Sequence, residues 1–161
     1  MGGKGRGYTG FDNMPHFGHM EDVSMPPEKA ELFRARLHIR AARRRFRQGK
    51  VSSGISVLFD SFISALRWYV ASPGNILKLD IRPGDDLNDE QSIYGVLVRS
   101  GVLDGRFGYG PFYKLMEDAV NKKLSNFDFE SLLKEVEAVI TALGVMPFDE
   151  ASLPPEKPGT P

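Results

Sequence analysis

Cysteine is absent from this 161-residue chain, which excludes disulfides, thiolate metal sites and cysteine nucleophiles and fits a reducing compartment. No apolar run approaches the ~18 residues of a membrane-spanning helix. The first twenty residues, MGGKGRGYTGFDNMPHFGHM, have no apolar core and do not read as a secretory signal, so a cytoplasmic protein is the default expectation. Histidine is scarce, and none of the three follows His38. Net charge is missing too: 21 Lys and Arg stand against 21 Asp and Glu. Any strong local charge must therefore be met by the rest of the chain or by a partner.

Such a local charge is present. Seven of the twelve arginines fall between Arg34 and Arg47. Residues 28–50 carry nine basic residues against two acids, whereas residues 51–161 carry ten against sixteen. Hydrophobic content of 41% and charged content of 26% are ordinary for a globular chain. The length suits one domain. Composition suggests a Gly-, Pro- and Met-rich flexible tail over residues 1–26, a helical domain over 27–146 and a proline-rich tail over 147–161.

Periodicity inside the domain is helical throughout. Leu32, Ala35, Ile39, Ala42 and Phe46 recur at 3-4-3-4 spacing, predicting a helix from Pro27 to Gln48 with one buried stripe. Arg36, Arg40, Arg43 and Arg47 form a second stripe beside it. Gly49 is a stop, and the short link Gly49-Lys50-Val51 predicts an antiparallel hairpin with a second helix over Ser52 to Ala71. That second helix is apolar over more than half its circumference and should be the most buried. Residues 73–87 read as a connector broken at Pro73-Gly74 and Pro83-Gly84. A third helix follows over Asp89 to Ser100, with Asn88 and Gln91 resembling a capping box. A fourth starts at Pro111, and Asp128 caps a fifth that ends before Gly144. The fold class is all-α: a bundle of four to five helices built on an N-terminal hairpin.

Candidate chemistry is thin. The stripe of Arg36, Arg40, Arg43 and Arg47 suits phosphates or carboxylates, because guanidinium forks bind planar anions bidentately. It equally suits the chain's own acids, supplied by Asp80 to Glu90 and by Glu130, Glu135 and Glu137. Arg106 and Tyr109, between glycines in Gly105-Arg-Phe-Gly-Tyr-Gly110, can offer a stacking surface or simply cover the core. His38 reads as an outward residue among arginines. Asp60, mid-helix in the most apolar segment, reads as a carboxylate within reach of Arg40 or Arg43, either as a buried ion pair or as a carboxylate for acid/base work or metal; a small polar site between the first two helices would use His38 or Asp60. His16-x-x-His19 with Glu21 and Asp22 lacks the further ligands of a metal site. Neither metal nor cofactor is implied.

The hairpin itself, a charged amphipathic helix, a Gly-Lys link and then ISVLFDSFISALRWYV, resembles the opening of HEPN-type helical domains. ESLLKEVEAVITAL suits their closing helix. The resemblance implies a helical-bundle fold over about residues 28–143 and a nucleotide- or RNA-related setting. The Arg and His pair of the family's ribonucleases has no match here, since no histidine follows His38, so it implies no nuclease activity.

The leading expectation is thus a non-enzymatic binding module whose arginine helix faces an acidic partner: RNA, a nucleotide or an acidic protein surface. The alternatives are an enzyme with a small polar site between the first two helices, and a helical homo-oligomer in which the basic hairpin docks on a neighbour's acidic half.

Overall fold

The computed structural model describes residues 25–156, and they form helices and turns without a strand. In chain order the helices are α1 (Pro27–Arg47), α2 (Val51–Ala71), a single turn α3 (Pro73–Ile76), α4 (Glu90–Arg99), α5 (Tyr109–Asn121) and α6 (Phe129–Ala142), followed by a 3-10 turn at Glu150–Ser152. His16 and His19 lie outside the described residues. Among the described residues no helix is long and apolar enough to cross a membrane.

Helix ends are set by local chemistry. Pro27 opens α1, where its missing N–H costs nothing, and Arg44, Arg45 and Arg47 occupy the last turn, where the dipole favours cations. α1, α4 and α6 stop by one device. Gly49, Gly101 and Gly144 take left-handed backbone (φ 77, 80 and 96°). The N–H of the next residue, Lys50, Val102 or Val145, then donates back to the carbonyl of Arg45, Leu97 or Ile140 at 2.9 Å, satisfying an otherwise orphaned carbonyl. The cap of α4 differs from expectation. Asp89 accepts from Ser92 N–H at 2.9 Å, so the helix begins one residue later than a cap at Asn88 requires.

α1 and α2 form the expected antiparallel hairpin. They approach closely at its closed end, where a Cβ on Gly54 would lie 2.5 Å from the Phe46 ring. The Ser61 hydroxyl donates to the Ala35 carbonyl at 2.8 Å and fixes their register. α2 is the central helix: Ile55, Leu58, Phe62, Ala65 and Leu66 are fully buried. Around it pack α4 through Ile93, Val96 and Leu97, α5 through Phe112 and Ala119, and α6 through Leu132, Val136 and Ile140. Phe62 gathers Phe107 and Phe112 edge-on at 5.7 and 5.3 Å, the geometry that ring quadrupoles favour.

Two stretches differ from their sequence assignment. The acid-rich connector, offered as a counter-charge to α1, is answered locally: Arg82 and Arg99 pair with Asp80 and Asp85, and Arg67 pairs with Glu90. Beyond residue 146 the chain stays packed. Phe148 rests against the core and Leu153 is only 7% exposed, as two large apolar side chains in an otherwise polar segment are drawn out of water.

Candidate functional site: an arginine ladder under a C-terminal strap

α1 turns its arginine stripe towards residues 145–156, which cross it as a strap. Arg36 donates from Nε to the Val145 carbonyl at 3.0 Å, and its guanidinium sits 5.1 Å from the centre of the Phe148 ring. Arg43 is the hub. Its Nε and Nη2 both lie 2.8 Å from one Glu137 oxygen, and its Nη1 donates to Glu150 at 2.7 Å. Arg40 lies 3.8 Å from Glu156, which also pairs with Arg44. Burial pulls the guanidinium groups of Arg36, Arg40 and Arg44 below their ordinary value, yet arginine stays charged at any working pH. The anions differ in exposure. The Glu137 side chain is 25% exposed and belongs to α6, whereas that of Glu150 is 46% exposed and sits on the strap.

Arg47 continues the stripe but lies past the strap; it is exposed and has no ion pair among the described residues. Arg106 and Tyr109 belong elsewhere. Arg106 is 90% exposed on the loop before α5, 3.7 Å from Asp104. Tyr109 opens α5 and joins the aromatic cluster, 6.1 Å from both Phe59 and Phe62 and stacked on Tyr113. Burial, with Asp89 and Tyr113 adding to it, raises its hydroxyl to about 12.

The placements of His38 and of Asp60 are each corrected by the structure. His38 is 2% exposed, not outward. It follows Glu31 and Ala35 and precedes Ala42 at helical spacing, so it shares their buried edge. Burial, reinforced by Arg34 and Arg45, lowers its imidazole to about 3, which keeps it neutral and sealed from any solvent-borne substrate. Asp60 is exposed rather than buried, and faces Arg45 rather than Arg40 or Arg43. The Ser61 to Ala35 bond turns Ser61 towards α1 and leaves Asp60 at the edge. Crowding by protein raises its carboxyl to about 6 against the pull of Arg45; its open surface favours the smaller end of such a shift.

A polar seam lies between α1 and α2; on the α2 side it uses Ser64 and Arg67 of that helix's polar stripe, while the burial of Glu31 has no counterpart in the periodicity. Glu31 and Ser64 are buried there, and Glu31 lies 3.4 Å from Arg34. Burial raises the Glu31 carboxyl, opposed by Arg34 and Arg67. The Ser64 hydroxyl is close enough to lower Glu31 slightly, although neither Ser64 Oγ nor Glu31 Oε1 reaches good hydrogen-bond geometry; the contact is a weak one. On the α1 side, a Glu three residues before an Arg on a helix otherwise patterned by apolar spacing is the sequence signal of this seam.

No family model, curated protein or solved structure matches this chain.

Proposed function

We propose that the protein is a non-enzymatic interaction module whose arginine ladder, Arg36, Arg40, Arg43 and Arg47, takes an acidic segment of a partner protein in competition with its own strap. The observation that carries this reading is the Arg43 fork. One face of its guanidinium is committed to Glu137 within the bundle, and the other holds the more exposed Glu150. Exposed ion pairs of that kind contribute only about 0–1 kcal/mol each, so an incoming carboxylate of equal chemistry can replace Glu150 and Glu156 without unfolding the bundle. The present occupant is itself an acidic, proline-rich peptide, PFDEASLPPE over residues 147–156, which favours a protein segment over RNA or a nucleotide. Kinship with HEPN-type domains is proposed at the level of fold alone, on the residues of the hairpin.

Glu150→Gln combined with Glu156→Gln in the full chain tests this. A labelled peptide of residues 147–156, followed by fluorescence anisotropy, should bind the double variant more tightly than the wild type. Binding should weaken with salt, and a further Arg43→Gln, made with helicity checked by circular dichroism, should remove it. Absence of binding to the double variant, or binding indifferent to salt and to Arg43, overturns the proposal. Preference for a short single-stranded RNA over the peptide would move the partner from protein to nucleic acid.

A further inference from the structure

Away from the strap, α6 has a second flank. Glu135, Ala138, Val139 and Ala142 recur at helical spacing on the side of α6 opposite Glu137, with the core stripe Leu132, Val136 and Ile140 between. Facing this flank is the loop from Gly101 to Phe107. Between them lies a half-open cavity of about 510 Å³, with Tyr94 in its lining. That size falls among small-molecule pockets, roughly 300–1,000 Å³.

The loop is held at both ends, so the cavity does not depend on a mobile wall. Val102 N–H donates to the Leu97 carbonyl at 2.9 Å, and Arg106 N–H donates to Asp104 Oδ1 at 2.9 Å. The Tyr94 hydroxyl donates to the Phe107 carbonyl. On the helix side the space exists because Ala138 and Ala142 are small. The walls are otherwise apolar: Val102, Leu103, Phe107 and Val139.

Charge at the cavity is uneven. Two carboxylates, Asp104 and Glu135, line it with one cation, Arg106. Asp104 already answers Arg106 at 3.7 Å. Glu135 is exposed and has no ion pair among the described residues. A half-open, largely apolar hollow with one carboxylate lacking an ion pair accepts an apolar body bearing one positive charge, and discriminates against the same body bearing a negative one.

We infer that the cavity between the Gly101–Phe107 loop and α6 is a binding site for a small organic ammonium compound with an aromatic or aliphatic body, its charge met by Glu135. This site is independent of the arginine ladder and of the function proposed for it.

The test is a titration of the full chain with 2-phenylethylamine and, separately, 3-phenylpropionate, read by amide shifts in 15N–1H spectra. The amine should give saturable shifts confined to residues 101–107 and 135–142. The carboxylate should bind at least about two- to fivefold more weakly, the range a single solvent-facing ion pair supplies. Glu135→Gln, a change on an exposed residue that leaves the bundle intact, should erase that preference. Ala142→Leu should fill the chamber and weaken both ligands, while Arg43→Gln should alter neither. Shifts that do not saturate, that scatter over the surface, or that are as strong with the carboxylate overturn the inference. Amine binding that survives Ala142→Leu in a folded variant overturns it as well.

Discussion

α1 carries two polar faces built from similar residues and put to opposite use. On one, Arg36, Arg40, Arg43 and Arg44 meet Glu137, Glu150, Glu156, a carbonyl and a ring across a partly wet boundary. On the other, Glu31 and His38 are buried, Glu31 beside Arg34 and the buried Ser64 of α2. The difference is access to water. A charge pair that water can reach is weak and exchangeable, since solvent replaces either partner at little cost. A polar group shut away from water is costly to charge and costly to orphan. The ladder is therefore the face that can trade partners, and the seam is the face that determines how α1 lies on α2.

The comparison breaks most sharply at His38. Its folded value of about 3 lies below the ordinary 6.5, so the unfolded chain binds a proton that the folded chain refuses. The stability this confers is complete above pH ~6.5 and is lost as the pH falls towards ~3, by up to about 1.4 kcal/mol per unit. Urea unfolding at pH 7.5 and 4.5 should show this loss, and His38→Gln should flatten it. An unchanged pH dependence in the variant would mean that His38 is not sealed.

On the ladder side the strap has a buried apolar anchor, Leu153, beside its ion pairs. Leu153→Ala should cost about 2 kcal/mol, the low end for a buried leucine, and should speed proteolysis within residues 147–156. If cleavage is unchanged, Leu153 does not hold the strap. Ser61→Ala removes the hydroxyl from the Ala35 carbonyl and should cost about 1 kcal/mol in urea unfolding; a neutral result would remove this bond from the contacts that determine the register.

Smallest is Asp60. Its raised folded pKa means that the folded chain holds a proton the unfolded chain has released, so stability falls as pH rises from about 4 to about 6. Asp60→Asn should therefore stabilise at pH 7 by less than about 1 kcal/mol, because the group reaches water, and should do nothing at pH 3.5. Destabilisation at pH 7 would show that its attraction to Arg45 outweighs desolvation.

The residues most legible from sequence are those governed by neighbours along the chain. Gly49 and Gly144 read as stops and, like Gly101, act as stops, because a left-handed residue after a helix is a local requirement. Phe46, Ile39 and Ala42 read as buried and are buried, because 3.6-residue periodicity fixes which side chains share a face. His38 was illegible for a definite reason, and Asp60 reads inward only because its neighbours along the helix are apolar. Periodicity ranks residues by polarity and turns the polar ones outward, while the true rotation of each helix depends on close approach at Gly54 and the bond from Ser61 to Ala35. The Glu137 and Glu150 partners of Arg43 stand 94 and 107 residues away, beyond any spacing rule. The cavity beside α6 had a faint trace at most, in the small side chains of Ala138 and Ala142.

By itself the sequence determined an all-helical chain, the glycine stops after three of its helices and the apolar stripe of each, since these follow from backbone hydrogen bonding and apolar burial within about twenty residues. Only the tertiary structure decided which acids answer the arginines, that His38 is inside and Asp60 outside, and that the segment after residue 146 lies on the ladder. Those outcomes depend on which distant groups are brought together and on how much water is left between them. Coulombic and desolvation energies change several-fold with that access, while the order of residues along the chain leaves it open.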